Sequence, residues 1–290
     1  MISIIICCRT QSISTDLSEN IKKTIGCEYE LIVINNSDNK YSIFEAYNSG
    51  IDKSKGEFLC FIHDDIFIHT NGWGNSVQRI FKEDLQIGLI GVAGSKVKTK
   101  MPSAWWDCPQ DQKVVYILQN HLNKEKQKRD IGFDASSNIE VAVIDGVFMA
   151  MRKVDRIQFN SGMMGFHNYD LNISFQTRKQ GYKIVVTKEI LLEHFSSGTI
   201  SEEWVQSTFK IHNLYNRFLS LDSSKNKLNK KLEVKNAKLF IIECLKYERI
   251  KIALFIWRKL FYLDPISNYH IKFWKIILKK YYASNRNPIL

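Results

Sequence analysis

The stretch that decides the fold is Phe58-Leu59-Cys60-Phe61-Ile62-His63-Asp64-Asp65, in which five apolar residues are followed by a histidine and two carboxylates. Such an apolar run is typical of a strand buried on both faces of a sheet. Ile2 to Cys8 and Glu30 to Ile34 have the same character, and segments with helical spacing separate the three. This alternation predicts an α/β fold with a mainly parallel central sheet flanked by helices. Residues 94–139 lack a clear period and are expected to form a long functional loop.

Polar residues at the ends of these strands predict a binding site. In parallel α/β sheets, ligands bind beyond the carboxyl ends of the strands. Asn35-Asn36-Ser37 and His63-Asp64-Asp65 each follow a predicted strand directly. Adjacent carboxylates repel each other and add nothing to packing, but they suit a hard divalent cation that carries substrate phosphates. A solvated surface turn is the alternative interpretation.

Several classes of protein are excluded by what the sequence lacks. It has no GxGxxG after a strand, no GxxxxGK[ST] and no GxSxG, which argues against a dinucleotide fold, a P-loop enzyme and an α/β-hydrolase. Its six cysteines form no CxxC pair, so neither a disulfide framework nor a zinc site is indicated. Reduced thiols in a cytoplasmic protein fit best. No apolar run approaches the roughly 20 residues of a membrane-spanning helix.

The net charge of +11 belongs to the last part of the chain. Residues 1–222 hold 25 basic and 26 acidic residues, whereas residues 223–290 hold 16 basic and 4 acidic residues, a net of +12. A fold-wide basic surface, as expected of a nucleic-acid-binding body, is therefore excluded. The change in composition predicts a domain over residues 1–220 and a basic, amphipathic helical extension over residues 221–290.

The extension has two interpretations. Between Tyr269 and Tyr282, helical spacing places lysines on one side and, on the other, Trp274, Ile277, Leu278 and Tyr281. A basic amphipathic helix favours an anionic membrane, so peripheral association at the inner membrane face is one expectation. The alternative is a helical bundle that packs on residues 1–220 with a solvated lysine face. A nucleic-acid partner is disfavoured because the aromatic residues do not lie among the lysines.

Over about residues 1–215 the chain resembles the glycosyltransferases of the GT-A fold, specifically the family-2-like enzymes. The run Phe58 to Ile66 is similar to the strand that delivers their DxD motif. Ala46 to Ile51 resembles their Asn-x-Gly helix, and Ile32 to Ser37 is similar to the strand and loop that hold the nucleotide base.

One branch of that family is a closer resemblance, the glycosyltransferase-like proteins grouped with a streptomycin-biosynthesis protein. In this branch His-x-Asp often replaces DxD. Gly91 to Ser95 followed by Trp105-Trp106 resembles the branch, and its later motifs are similar to Asp145 to Arg152 and Gly165 to Asp170.

The resemblance implies transfer of a sugar from a nucleotide-sugar donor to a hydroxyl acceptor, a glycan or a lipid-linked sugar, in bacterial polysaccharide or glycoconjugate assembly. It implies Mn²⁺ or Mg²⁺ as cofactor, held by Asp65, His63 and His194. Asp170 would be the general base of an inverting enzyme, and Asp145 would line the donor or acceptor sugar. The residues expected to bind the nucleotide sugar are Arg9, Asn35, Asn36, Ser37, Asn48, Asp64, Trp105, Trp106 and Gly146.

Each of these roles has an alternative. Asp170 also stands where a carboxylate would stabilise a helix N-terminus, and His194 where a surface histidine would cap a loop. The Trp105-Trp106 pair would stack on a sugar ring or pack beneath its own loop. For the whole chain, the alternative to an enzyme is a non-catalytic nucleotide-sugar or glycan-binding module, which is favoured by His63 in the place of the first DxD carboxylate.

Overall fold

The computed structural model describes residues 1–120, 126–196, 198–223 and 229–286, with the backbone alone for 281 and 283–286. The strands are β1 (Ile2–Cys8), β2 (Tyr29–Asn35), β3 (Phe58–Ile62), β4 (Ile66–Ile68), β5 (Ile87–Gly91), β6 (Ala93–Ser95), β7 (Val97–Lys98), β8 (Lys113–Gln119), β9 (Gln127–Ile131), β10 (Asn138–Val141), β11 (Val143–Ile144), β12 (Phe148–Arg152), β13 (Lys183–Thr187), β14 (Leu192–His194) and β15 (Leu221–Asp222). The helices are α1 (Thr15–Thr24), α2 (Ile43–Lys53), α3 (Trp73–Glu83), α4 (Tyr169–Lys179), α5 (Glu202–Leu214), α6 (Lys230–Lys246), α7 (Ile250–Leu263) and α8 (Tyr269–Arg286), with one 3₁₀ turn at Gln110–Gln112.

The central sheet has seven strands in the order β10-β13-β5-β12-β3-β1-β2. The pairs β1–β2, β1–β3 and β13–β5 are parallel, while both neighbours of β12 and the β10–β13 pair are antiparallel. The sheet is therefore more mixed than the alternation of strands and helices predicts, because β12 is inserted against the direction of β3 and β5. The amino end of β12 consequently lies beside the carboxyl ends of β3 and β5.

A second sheet of six strands has the order β11-β6-β8-β14-β4, with β9 paired to β8. Residues 94–139, expected to form a long loop, contribute much of this sheet. The sequence conceals β9 because its residues 127–130 are polar and exposed, so no apolar alternation marks the strand. The sheet places β14 between β4 and β8, which determines the position of His194.

Local hydrogen bonds define where the helices begin. Ser42 and Glu45 form a reciprocal capping box at the start of α2. Asn168 precedes α4 with φ of 63°, a left-handed conformation that asparagine tolerates better than most residues. Its side-chain amide donates to the hydroxyl oxygens of Ser207 at 3.0 Å and Thr208 at 3.1 Å, so the first turn of α4 is fastened to α5.

The C-terminal helices pack on the rest of the chain through α6. The Glu233 carboxylate accepts hydrogen bonds from the backbone N–H groups of Lys100 and Met101, each at 2.8 Å. The Asn236 amide donates to the Thr99 hydroxyl at 3.0 Å and to the Asp107 carbonyl at 2.9 Å. Upstream of α6, the short strand β15 pairs with β7, so residues just past 220 also take part in the pairing of strands.

The predicted apolar face of α8 is divided in the structure. Ile277 packs beside the buried Phe273 in the cluster that α6 and α7 share, whereas Trp274 and Leu278 are exposed. The side chain of Tyr281 lies outside the described residues. Part of the predicted apolar face is therefore buried in the bundle, and part of it is exposed.

Two further observations concern the cysteines and the lengths of the helices. All six cysteines are free thiols. Within the described ranges, no helix combines the length and the apolar character needed to cross a bilayer.

Candidate functional site

The carboxyl ends of β1 and β3 bring Arg9 beside Asp64 and Asp65. These strands pair in parallel, so the residues that follow them emerge together. The Arg9 Nη2 atom lies 2.7 Å from Asp64 Oδ1 and 3.2 Å from Asp65 Oδ2, and the Arg9 backbone N–H also donates to Asp64. The guanidinium therefore compensates the repulsion between two adjacent carboxylates.

His63, Asp65 and His194 converge into one cluster. Because β14 pairs antiparallel with β4, His194 lies opposite Ile66, one residue beyond Asp65. The Asp65 Oδ1 atom is 3.6 Å from His63 Nδ1 and 3.7 Å from His194 Nε2. One donor atom of each of the three residues lies within 4.8 Å of the others.

The chemistry of this cluster fits a divalent cation. Asp65 Oδ1 is buried, and it has no hydrogen-bond partner among the described residues. Burial tends to raise the pKa of Asp65, but contacts with His63 and Ser196 and the charges of the two histidines hold that pKa well below its usual range. Burial, and then the neighbouring His63, lower the pKa of His194, which favours the neutral imidazole that a metal ion requires. An ionised carboxylate and neutral imidazoles are ordinary metal donors.

Tyr169 is a site residue that motif reasoning missed, although it lies within the Gly165-to-Asp170 stretch. Its hydroxyl is 2.5 Å from His63 Nε2, the ring nitrogen that faces away from Asp65. Gly146 makes room for this tyrosine, because a Cβ atom at Gly146 would lie 2.4 Å from the hydroxyl oxygen. Gly146 is thus required by a close approach of the Tyr169 ring rather than by its own backbone conformation.

Asp145 is held in place by its neighbours. Its Oδ2 accepts a hydrogen bond from the Trp105 indole at 2.6 Å, and its Oδ1 accepts one from the Val147 backbone at 2.8 Å. The loop that carries Trp105 is supported from inside by the buried Lys98, whose ammonium donates to the Ser103 carbonyl at 2.7 Å. Burial lowers the pKa of Lys98 to about 8.

Asp170 lies in the first turn of α4, where the Leu171 N–H donates to its Oδ1 at 2.8 Å. Burial and then the negative charge of Asp145 raise the pKa of Asp170 from 3.8 to about 7. A carboxylate with such a pKa exchanges its proton near neutral pH, as a general base must.

Two cavities meet at the cluster. The smaller, about 200 Å³, is lined by Arg9, Asn36, Asp64 and Asp65. The larger, about 510 Å³, is lined by the remaining site residues, namely Trp105, Trp106, Asp145, Gly146, Asp170 and His194. His63, Phe166, Tyr169 and Ser196 line both. The cluster of His63, Asp65 and His194 therefore lies between two compartments of different size.

Three predicted residues lie outside both cavities. Asn35 accepts hydrogen bonds from the backbone and the hydroxyl of Ser37, so the two residues stabilise each other's turn. The Asn48 side-chain amide donates to the Phe159 carbonyl at 2.8 Å, and its oxygen accepts from the Phe159 N–H at 2.9 Å. In this arrangement Asn48 connects α2 to the segment before α4. Asn36, by contrast, is buried at the wall of the smaller cavity. Its side-chain amide donates to the carbonyl of Tyr41 and accepts from the N–H of the same residue.

A separate groove of about 900 Å³ lies on the other side of the loop at 163–168. Its lining includes Met163, Met164, Phe209 and the first turn of α7. Phe166 and His167, in the same loop, line the 510 Å³ cavity. The groove and the larger cavity are thus neighbours, separated by one loop and sharing α5.

The sequence matches a known family over most of its length. Residues 3–232 fit the family described as "Glycosyltransferase like family". The chain belongs to this family. The match of this glycosyltransferase-like chain covers every site residue named above and ends in the first turn of α6. No curated protein sequence matches it significantly.

The assignment of the fold rests on one solved structure. The crystal structure of GalNAc-T7 with UDP, GalNAc and Mn²⁺ superposes on this glycosyltransferase-like chain with a TM-score of 0.51 at 11% identity. The superposition covers 73% of this chain and 47% of that one, so the chain spans about half the length of GalNAc-T7. S. aureus TarS 1–349 in complex with UDP-GlcNAc gives a TM-score of 0.42 at 11% identity over 85% and 67% of the two chains. The fold is the GT-A fold.

Proposed function

We propose that this protein is an enzyme that transfers a sugar from a nucleotide-diphosphate sugar to a hydroxyl acceptor. The observation that carries the proposal is that the 510 Å³ cavity is lined both by Asp170 and by His63 and His194, two members of the His63–Asp65–His194 cluster. One group of residues suits a diphosphate-bound cation, and the other suits a proton acceptor. A binding module would need the first group but not the second.

The cation would be Mn²⁺ or Mg²⁺, held by Asp65, His63 and His194. Bound there, it would supply positive charge to the departing diphosphate. Two imidazoles and one carboxylate favour Mn²⁺, because Mg²⁺ prefers oxygen ligands and near-ideal octahedral geometry. Arg9 lies beside the same carboxylates and offers a second cation to the donor phosphates.

The donor and the acceptor are assigned to different cavities. The nucleotide would occupy the 200 Å³ cavity beside Asn36 and Arg9, and the sugar and the acceptor would meet in the 510 Å³ cavity. Asp170 would take the proton from the acceptor hydroxyl, which is the role of a base in an inverting reaction. Asp145, positioned by Trp105, would line the sugar, and the exposed Trp106 would offer an aromatic face to a sugar ring.

A glycan or lipid-linked acceptor would extend from the larger cavity into the adjacent groove of about 900 Å³. The methionines and Phe209 contribute apolar surface to its lining, and charged residues such as Lys210 and Arg249 offer polar contacts to an extended acceptor. Surface polysaccharide or glycoconjugate assembly in bacteria is the corresponding biological role, in the branch grouped with a streptomycin-biosynthesis protein. We place the enzyme in the cytoplasm, peripherally attached to the inner membrane face.

A thermal-shift screen tests this function. UDP-, GDP-, CMP- and dTDP-sugars are added with and without Mn²⁺, since a ligand that binds the native state raises the melting temperature. We expect one nucleotide class to stabilise the protein more strongly with Mn²⁺ than without it, and hydrolysis or transfer of that donor to follow. Stabilisation without any turnover in the presence of acceptors would indicate a binding module instead.

A further inference from the structure

The outward side of α8 has an organisation that its own packing does not explain. Phe273 is fully buried and Ile277 packs next to it, which fixes the side of the helix that faces the bundle. At 3.6 residues per turn, Ile271, Trp274 and Leu278 form one stripe along a flank of the helix, roughly 80° to 140° around from the centre of that buried side. These three side chains are 61%, 41% and 50% exposed.

A stripe of lysines runs beside the apolar one. Lys272, Lys275 and Lys279 are exposed and follow the same spacing, displaced to one side of it. Among the described residues none of the three forms a salt bridge, whereas Lys280, which points toward the bundle, lies 4.0 Å from Glu248. The lysine charges on the outer side are therefore not neutralised by the protein itself.

The apolar stripe continues onto the end of α7 and the turn that follows. Trp257 stacks on Phe273, and its ring centroid is 5.2 Å from that of Trp274 and 5.8 Å from that of Phe261. Beyond Phe261, Tyr262 is 80% exposed and Ile266 is 93% exposed. Exposed apolar side chains that form a continuous patch mark an interaction surface rather than a solvated one.

We infer that this surface, defined by Tyr262, Ile266, Ile271, Trp274, Leu278 and the three lysines 272, 275 and 279, binds an anionic lipid bilayer. Residues 223–290 carry a net charge of +12, and no other part of the chain has such an excess. Apolar residues flanked by unpaired lysines match the two layers of a membrane surface, with acyl chains below and anionic headgroups above. The inference specifies which residues make the peripheral attachment proposed above, but it does not depend on the sugar-transfer reaction.

The test uses the full chain and vesicles of defined composition. Binding is measured by co-sedimentation with phosphatidylcholine vesicles and with vesicles of equal parts phosphatidylglycerol and phosphatidylcholine. We expect binding to the anionic vesicles alone, weakening steeply as salt is raised, because the attraction decays over a Debye length of about 8 Å at physiological salt. Equal binding to both vesicle types, or none to either, would overturn the inference.

Two variants with matched controls locate the surface. Changing Lys272, Lys275 and Lys279 together to Gln should lower the partition coefficient about 10²-fold, since each lysine near an anionic surface contributes roughly a factor of five. Changing Lys22, Lys53 and Lys82 to Gln removes the same charge from exposed positions elsewhere and should have little effect. An equal loss in both triple variants would show that net charge alone is responsible.

The apolar stripe is tested with Ile271→Ser combined with Leu278→Ser, against Leu85→Ser, a leucine in the domain that is 71% exposed. The α8 variant should lose binding and the blue shift of Trp274 emission, obtained by difference from Trp274→Phe. All variants should retain the wild-type melting temperature and nucleotide-sugar binding. If sedimentation of the protein alone showed a dimer that the α8 variant dissociates, the surface would belong to a second copy of the chain and the inference would fail.

Discussion

The Oδ1 atom of Asp65 lies 3.7 Å from the Nε2 atom of His194, although one residue follows the third strand of the central sheet and the other ends a strand of the second sheet. The antiparallel pairing of β14 with β4 creates this proximity. The two residues that the resemblance implies as ligands of one cation therefore lie side by side. At that separation a single cation between them would be within ligation range of both after small side-chain adjustments.

Removing a member of this pair should abolish metal binding. Asp65→Asn and His194→Ala are each expected to weaken Mn²⁺ affinity by about 10² or more, because each removes a direct ligand. Isothermal titration calorimetry and the EPR signal of free Mn²⁺ measure this without any turnover. His69→Ala is the matched control, since His69 contacts Glu193 and lines neither of the two cavities. Unchanged affinity in Asp65→Asn would remove the cation from this cluster.

Tyr169→Phe should weaken Mn²⁺ binding about 10- to 100-fold while leaving the fold intact. The reason is that a partner hydrogen-bonded to the distal nitrogen of a ligating histidine fixes its ring orientation and tautomer, here through the 2.5 Å contact between Tyr169 and His63. Tyr116→Phe, a tyrosine away from the cluster, serves as control. Nitrogen-15 NMR of the histidine rings should show a change confined to His63. An unaltered His63 tautomer in Tyr169→Phe would show that Tyr169 packs against His63 without orienting its ring.

Asp170→Asn should lower turnover by about 10² or more and leave donor affinity within a few-fold of wild type, because the amide keeps the size of the carboxylate but does not accept a proton. In the wild-type enzyme, activity should rise with pH with a midpoint near the Asp170 pKa of about 7. The variant's residual activity should lack this ascending limb. Full turnover in Asp170→Asn would show that Asp170 is not the base. A parallel loss of turnover and donor binding would assign Asp170 to the donor site.

Ionisation of Asp170 should lower the stability of the native state at high pH. Its pKa rises from 3.8 to about 7 on folding, so the native state binds the proton more tightly and the associated stability is lost as pH rises from about 4 to 7. Asp170→Asn should therefore raise the melting temperature at pH 8 and change it little at pH 4. The control is Asp16→Asn, an exposed carboxylate in the first turn of α1. A pH-independent difference for Asp170→Asn would contradict the raised pKa.

Much of the central sheet could be predicted because its strands are continuous apolar runs. β1, β3 and β5 consist of residues that are buried on both faces, and this burial leaves a signature in the sequence itself. The second sheet left no such signature. β9 is polar and exposed, and β6 and β11 are only three and two residues long, so their pairing depends on long-range partners that local periodicity does not encode.

The site residues likewise divide into those that a local sequence pattern indicates and those that it does not. Motifs directed attention to His63, Asp65, Asp145 and Asp170, whose side chains follow strands or open a helix. Tyr169 has no such signal, because a tyrosine in the first turn of a helix follows no distinctive pattern. Its contact with His63 depends on the space that Gly146 leaves for the ring. Likewise, nothing local to Asn48 indicates that its amide would pair with Phe159, far along the chain.

The two polar side chains of α6 that hold residues 99–107 have a consequence for the way the protein is made. Ribosomes release the chain from its N-terminus, and domains generally begin to fold as they emerge. The loop that presents Trp105 to Asp145 lacks the hydrogen bonds from Glu233 and Asn236 until residues beyond 236 have left the exit tunnel. During synthesis, the residues of the His63, Asp65 and His194 cluster therefore leave the tunnel before the residues that hold the Trp105 side of the cavity.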